Sequence, residues 1–130
     1  MRLLGIDFGE KRIGLALSDK EGFFSFPHAV LANNKKALAI ISDICKKEKV
    51  GKIIMGASLD YKGQANPVMR LARNFAVRLE REISLPVEYE NEVLTTKEAS
   101  NLDDNKGMRD AVAASLILKS YLDRTSHHSF

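Results

Sequence analysis

The apolar pattern of this chain changes period once, near Asn34, and that change limits the available folds more than any other feature. Before it lie three short apolar runs separated by turn residues. Arg2 to Phe8 is a near-continuous apolar run with a carboxylate, Asp7, close to its end, and reads as a buried strand. Gly9-Glu10-Lys11 makes a tight turn into a second strand, Arg12 to Ser18. Asp19-Lys20-Glu21-Gly22 is again turn chemistry, followed by an aromatic strand from Phe23 to Phe26 that extends toward Leu31. Three strands joined by turns this short predict an antiparallel meander.

After Asn34 the spacing becomes helical. Ala37, Ile40, Ile41, Ile44 and Cys45 fall on one face, with Val50-Gly51 as the stop. Lys52 to Met55 is a short strand ending at Gly56. Pro67 then opens a helix with Val68, Leu71, Ala72, Phe75, Leu79 and Ile83 on its inner face. Arg70, Arg73, Arg78 and Arg81 lie within roughly 140° on the other side, bordered by Glu80 and Glu82, as a solvated face does. Pro86 to Glu90 is another strand. Thr95 and Glu98 form a capping box for a short helix, and a polar loop from Asp103 to Gly107 precedes a last helix at about Met108 to Asp123. The order βββαβαβαα predicts an α/β fold: a mixed sheet, its meander joined to parallel crossovers, with helices over both faces.

Composition narrows the class. With 130 residues, 45% of them apolar, the chain suits one domain spanning residues 1–130 with a core that needs no staples. The lone Cys45, read as core, excludes an intrachain disulfide framework and a Cys-rich zinc site. A charge of +3 permits a polyanionic partner without requiring one. No stretch reads as a signal peptide or membrane span, so a cytoplasmic protein is expected.

Asp7 needs an explanation, because a carboxylate at the end of a buried strand must be paired, metal-bound or engaged in fixing the following turn. Glu92 follows the Pro86–Glu90 strand, and parallel order would bring it to the same sheet edge as Asp7, the edge where ligand sites of α/β folds collect. Asp110 stands in the first turn of the last helix, where negative charge is favoured in any case. Ala111 to Ser115 are small enough for that helix to lie close against the sheet. Each residue alone admits a bland reading; the three together form a candidate carboxylate cluster. Such a cluster would repel itself without a cation, and oxygen donors with no His or Cys suit Mg²⁺ or Mn²⁺. Hydrolysis of a phosphodiester by metal-activated water would follow, with no Ser, Cys or His nucleophile. Lys11, Arg12, Lys106 and Arg109 flank these positions and are either phosphate contacts or solvated charges.

Four segments resemble the YqgF/RuvX family, relatives of the RuvC-type resolvases: GIDFGEKRIGLALSD at Gly5–Asp19, IIMGASLDYKGQ at Ile53–Gln64, NEVLTTKEA at Asn91–Ala99 and RDAVAASLILKSYLD at Arg109–Asp123. The resemblance implies an RNase H-like five-stranded sheet of order 3-2-1-4-5 with the second strand antiparallel. It also implies metal ligands at Asp7, Glu92 and Asp110. The activity implied is that of a nuclease, processing the 5′ end of precursor 16S rRNA or resolving Holliday junctions, as a monomer or a homodimer. The chain departs from the family pattern in three places. Asn91-Glu92-Val93-Leu94-Thr95 stands where Asp-Glu-Arg-Leu-Thr is usual, Gly56-Ala57-Ser58-Leu59 replaces Gly-Leu-Pro-Leu, and the Leu102–Arg109 loop is shorter and less basic. Two rival functions follow from the residues: a non-catalytic RNA or ribosome-assembly binding module, and an ATP-binding domain using Asp7-Phe8-Gly9 as a phosphate hairpin. Phe23, Phe24 and Phe26 are expected to pack within their strand before serving as a base-stacking platform. Gly63 suggests a mobile loop near the sheet edge, and His127-His128 is too isolated for a metal site.

Overall fold

The computed structural model describes residues 1–57, 67–91 and 107–126. Its strands are β1 (Arg2–Phe8), β2 (Arg12–Ser18), β3 (Ser25–Ala32), β4 (Val50–Ala57) and β5 (Val87–Asn91), and its helices α1 (Ala37–Lys47), α2 (Pro67–Ile83) and α3 (Arg109–Ser126). The sheet order is β3-β2-β1-β4-β5. β1, β2 and β3 pair antiparallel, whereas β4 and β5 join β1 in parallel, as the change of apolar period requires. The carboxyl ends of β1, β4 and β5 therefore share one edge.

Alternation along each strand divides the core in two. Leu4, Ile6, Ile13, Leu15, Ile53 and Met55 point to the face covered by α1 and α2, where Ile41, Cys45, Phe75 and Leu79 meet them. Burial pushes the Cys45 thiol up to about 11. On the opposite face Leu3, Ala16 and Ile54 pack against Ala114, Ile117, Leu118, Tyr121 and Leu122 of α3. Helices thus cover both faces.

Several boundaries differ from the sequence reading for identifiable reasons. β3 begins at Ser25 rather than Phe23, because the Asp19 carboxylate accepts the backbone N–H groups of Phe23 and Phe24 at 2.8 and 3.0 Å and holds both in the turn. Phe23, Phe24 and Phe26 are not strand packing: they are 66%, 65% and 55% exposed. α1 stops at Lys47, with Lys49 in the left-handed region at φ 55°, so Val50 and Gly51 belong to β4. Gly51 fits a strand there because Met1 occupies its missing side-chain space, 2.6 Å from a notional Cβ. Leu71 falls at the margin of the inner face of α2 and is exposed. The capping box at Thr95 and Glu98, the Gly63 loop and His127-His128 lie outside the described residues.

Candidate active site at the carboxyl edge of the sheet

Asp7 shares the α3 face of β1 with Leu3 and Gly5, since side chains alternate along a strand. Its cross-strand partner is Gly14 of β2, whose Cα lies about 5 Å away in an antiparallel pair. Gly14 is occupied from above by the start of α3. A Cβ on it would sit 1.9 Å from the Asp110 carbonyl oxygen and 2.9 Å from the Ala111 nitrogen. The second residue of α3 thus rests on the pleat directly opposite Asp7. One turn on, a Cβ at Gly5 would be 2.9 Å from the Ala114 carbonyl oxygen. The glycines of β1 and β2, facing Ala111 and Ala114, let the helix backbone approach the sheet closely enough to bring the two acids onto one small area.

The β1–β2 turn beside them is well fixed. Gly9 N–H donates to the Arg12 carbonyl at 2.9 Å, Asn33 N–H to the Lys11 carbonyl at 2.9 Å, and the Asn33 side-chain amide to the Gly9 carbonyl at 2.8 Å. Arg12 leaves this turn on the α3 side and donates from Nε to Asp110 Oδ2 at 2.8 Å. The guanidinium is 62% exposed and the carboxylate 25%, so the pair orients Asp110 more than it stabilises the fold. Lys11 and Arg109, the chain neighbours of Arg12 and Asp110, are exposed. Asp110 also lies in the first turn of α3, where the helix dipole favours its charge.

Of the expected site residues, then, Asp7, Asp110, Lys11, Arg12 and Arg109 share one edge; Glu92 and Lys106 lie outside the described residues. Among the described residues no three carboxylate, imidazole or thiol groups come together. The sequence reading missed two ionic groups that anchor α3 on the β5 side. Glu90 accepts from Arg124 Nη2 at 2.7 Å and Nε at 3.1 Å, and from Ser120 Oγ at 2.9 Å. Glu88 accepts from the Tyr121 hydroxyl at 2.5 Å and is 2.8 Å from Lys52 Nζ. Lys52, then the Tyr121 hydroxyl, hold Glu88 below the usual carboxylate range, and Glu88 in turn raises Lys52. The alternation of acids in Val87-Glu88-Tyr89-Glu90 was the available signal: both fall on the face that α3 covers. With Glu90 committed to Arg124, it is a structural acid, distinct from the Asp7–Asp110 pair.

A family model described as RuvX, Holliday junction resolvase, matches residues 1–124. The chain belongs to the RuvX family. Among RuvX-like relatives, a protein of Maridesulfovibrio salexigens named "Putative pre-16S rRNA nuclease" is 37% identical, covering 95% of this chain and 99% of its own. One of the same name from Syntrophomonas wolfei is 34% identical, covering 95% and 94%. In fold, the chain is similar to Thermus thermophilus RuvC, solved in complex with a Holliday junction substrate. Their TM-score is 0.61 with 14% identity over 95% of each chain. The RNase H-like sheet of order 3-2-1-4-5 that the resemblance implies is the sheet order observed.

Proposed function

We propose that this chain is a metal-dependent endonuclease acting on structured nucleic acid, with the 5′ end of precursor 16S rRNA as its substrate in cytoplasmic ribosome biogenesis. The observation that carries the reading is the seating of Asp110 on Gly14, opposite Asp7. That contact gives α3 a reason to be small-faced at its start. The name shared by the Maridesulfovibrio and Syntrophomonas relatives supports rRNA as the substrate.

Carboxylate oxygens without imidazole or thiolate fit a hard divalent ion, Mg²⁺ or Mn²⁺, and Asp7, Asp110 and Glu92 are the residues that would hold it. Bound there, such an ion supplies an activated water and charge stabilisation for the leaving oxygen. The protein side of the reaction is positioning. Arg12 fixes the rotamer of Asp110, α3 fixes its backbone, and the exposed Lys11 and Arg109 engage phosphate oxygens of the bound strand, with Lys106 expected to join them. Among the described residues no helix is long and apolar enough to cross a membrane.

A second reading, a binding module that does not cut, draws on the Arg12–Asp110 ion pair, which neutralises one of the acids from within the chain. Cleavage separates the two. With Mn²⁺, wild type should process a precursor 16S leader, with four-way DNA junctions as the alternative substrate. Asp7→Asn and Asp110→Asn should each lose on the order of 100-fold in rate while still binding. Equal cleavage by wild type and either variant would reject the site, and binding without cleavage by wild type would favour the second reading.

A further inference from the structure

The opposite edge of the sheet carries an unassigned surface. There the amino end of β1, the β2–β3 turn and the end of α1 enclose a recess of about 440 Å³ lined by Met1, Arg2, Lys20, Lys47, Glu48 and Lys49. Four of these side chains are cationic and one is acidic. Glu48 is already taken up by Arg2, 2.8 Å from its Nη1. Arg2 nevertheless keeps a buried Nε that has no hydrogen-bond partner among the described residues. That nitrogen is shut off from the recess, and Arg2 is balanced by Glu48; the surplus positive charge is that of Lys20, Lys47 and Lys49, which suits an anion with several acceptor oxygens, such as a phosphodiester.

Lys20 joins this recess to the exposed phenylalanines. It belongs to the same turn as Phe23 and Phe24, which are 66% and 65% exposed. That turn is not loose. Asp19 N–H donates to the Phe24 carbonyl at 3.2 Å and Gly22 N–H to the Asp19 carbonyl at 3.2 Å, while the Asp19 carboxylate accepts both phenylalanine N–H groups. Those amide bonds hold the Asp19 carboxyl below its usual range and occupy its charge within the turn. Glu21 is the remaining acid of the turn. Two aromatic rings are therefore exposed on a hydrogen-bonded turn that also supplies Lys20 to the cationic recess. Rings for base faces next to cations for the backbone is the combination that single-stranded nucleic acid requires, and it is tolerant of sequence.

We propose that this edge is a second nucleic-acid contact, with Phe23 and Phe24 stacking on unpaired bases and Lys20, Lys47 and Lys49 receiving the adjoining phosphates. It lies a strand length, about 20 Å, from the Asp7–Asp110 edge. The ligand class rests on reading the chain as a nuclease; the surface adds that its substrate carries an unpaired stretch beyond the point of cleavage.

The test is fluorescence anisotropy of a labelled oligouridine in EDTA across a salt series, on the whole chain, with cleavage measured separately in Mn²⁺. Phe23→Ala/Phe24→Ala should weaken binding on the order of 10-fold or more without changing the salt slope. Lys20→Gln/Lys49→Gln should lower that slope by about 1.4, two phosphate contacts on a single strand. All four residues are exposed, so loss of fold does not mimic either result, and thermal melts verify it. If wild type cleaves structured RNA but both double variants bind oligouridine as it does, the second contact is wrong and the nuclease reading stands. If wild type neither cleaves nor binds nucleic acid, both fall. Losses seen only with anionic lipid vesicles would also overturn the proposal, assigning the surface to a membrane.

Discussion

Replacing Gly14 by alanine adds one carbon at the point where the candidate site is assembled. That carbon would stand 1.9 Å from the Asp110 carbonyl oxygen, 2.3 Å from its carbonyl carbon and 2.9 Å from the Ala111 nitrogen. All three are backbone atoms, so no side chain can swing aside. To reach ordinary contact at 3.4 Å, the start of α3 must withdraw by about 1.5 Å. Such overpacking costs about 1–3 kcal/mol, or a fall of roughly 4–12 °C in Tm for a chain of this size. Because the displaced residue is Asp110, the distance to Asp7 changes with it, and misplacement of a reacting group by about 1 Å can cost 100-fold in rate. Gly5→Ala is the matched comparison. Its Cβ would lie 2.9 Å from the Ala114 carbonyl oxygen and 3.0 Å from Leu118 Cβ, a conflict relieved by a few tenths of an ångström one turn beyond Asp110. Gly14→Ala should therefore lose on the order of 100-fold in Mn²⁺-dependent cleavage under single-turnover conditions, with Gly5→Ala losing far less in rate and less in Tm. A folded Gly14→Ala protein cutting at the wild-type rate would show that apposition of Asp7 and Asp110 does not govern the chemistry.

Two further predictions concern what keeps this frame in place. The buried Ser18 hydroxyl accepts Leu3 N–H at 2.8 Å and donates to the Asp19 carbonyl at 2.9 Å, so Ser18→Ala strands a buried N–H and should cost about 1–3 kcal/mol in urea unfolding; a change below the error of the midpoint would show that another acceptor reaches Leu3. Glu88, held below its ordinary 4.5 by Lys52, contributes stability that is present above that value and lost as pH falls through its folded pKa. Lys52, raised above 10.5, contributes stability that is lost as pH climbs past that value. Because Glu88 is 47% exposed, Glu88→Gln should flatten both limbs of an unfolding free-energy-against-pH curve by less than about 1 kcal/mol. An unchanged acid limb would remove Glu88 from the account.

Local physics made much of this legible in the sequence. Period and turn residues give β1, β2 and α2 their observed bounds, because each has an uninterrupted apolar pattern and clear punctuation. β3 was misplaced at its start because one side chain, Asp19, diverts two aromatic residues of high strand propensity into a turn. Val50 and Gly51 looked like a helix stop, yet a single left-handed residue, Lys49, does that work and frees them for β4. Asp7 and Asp110 could be nominated from their positions at a strand end and a helix start. What joins them could not be, since the Gly14 contact and the Arg12–Asp110 bond connect residues nearly a hundred positions apart. Nothing in a linear pattern marks Arg12 as a partner for Asp110 rather than for a phosphate. Glu92 and Lys106, named for the same site, fall outside the described residues.

That long reach has a consequence for how the protein is made. β1 and β2 leave the ribosome before the helix that lands on Gly5 and Gly14 has been synthesised. Until it docks, Asp7 has no Asp110 opposite it, and the face bearing Leu3, Ala16 and Ile54 has no cover. Docking covers that face and seats Asp110 on Gly14 in one event, so the proposed site exists only once α3 has joined the sheet.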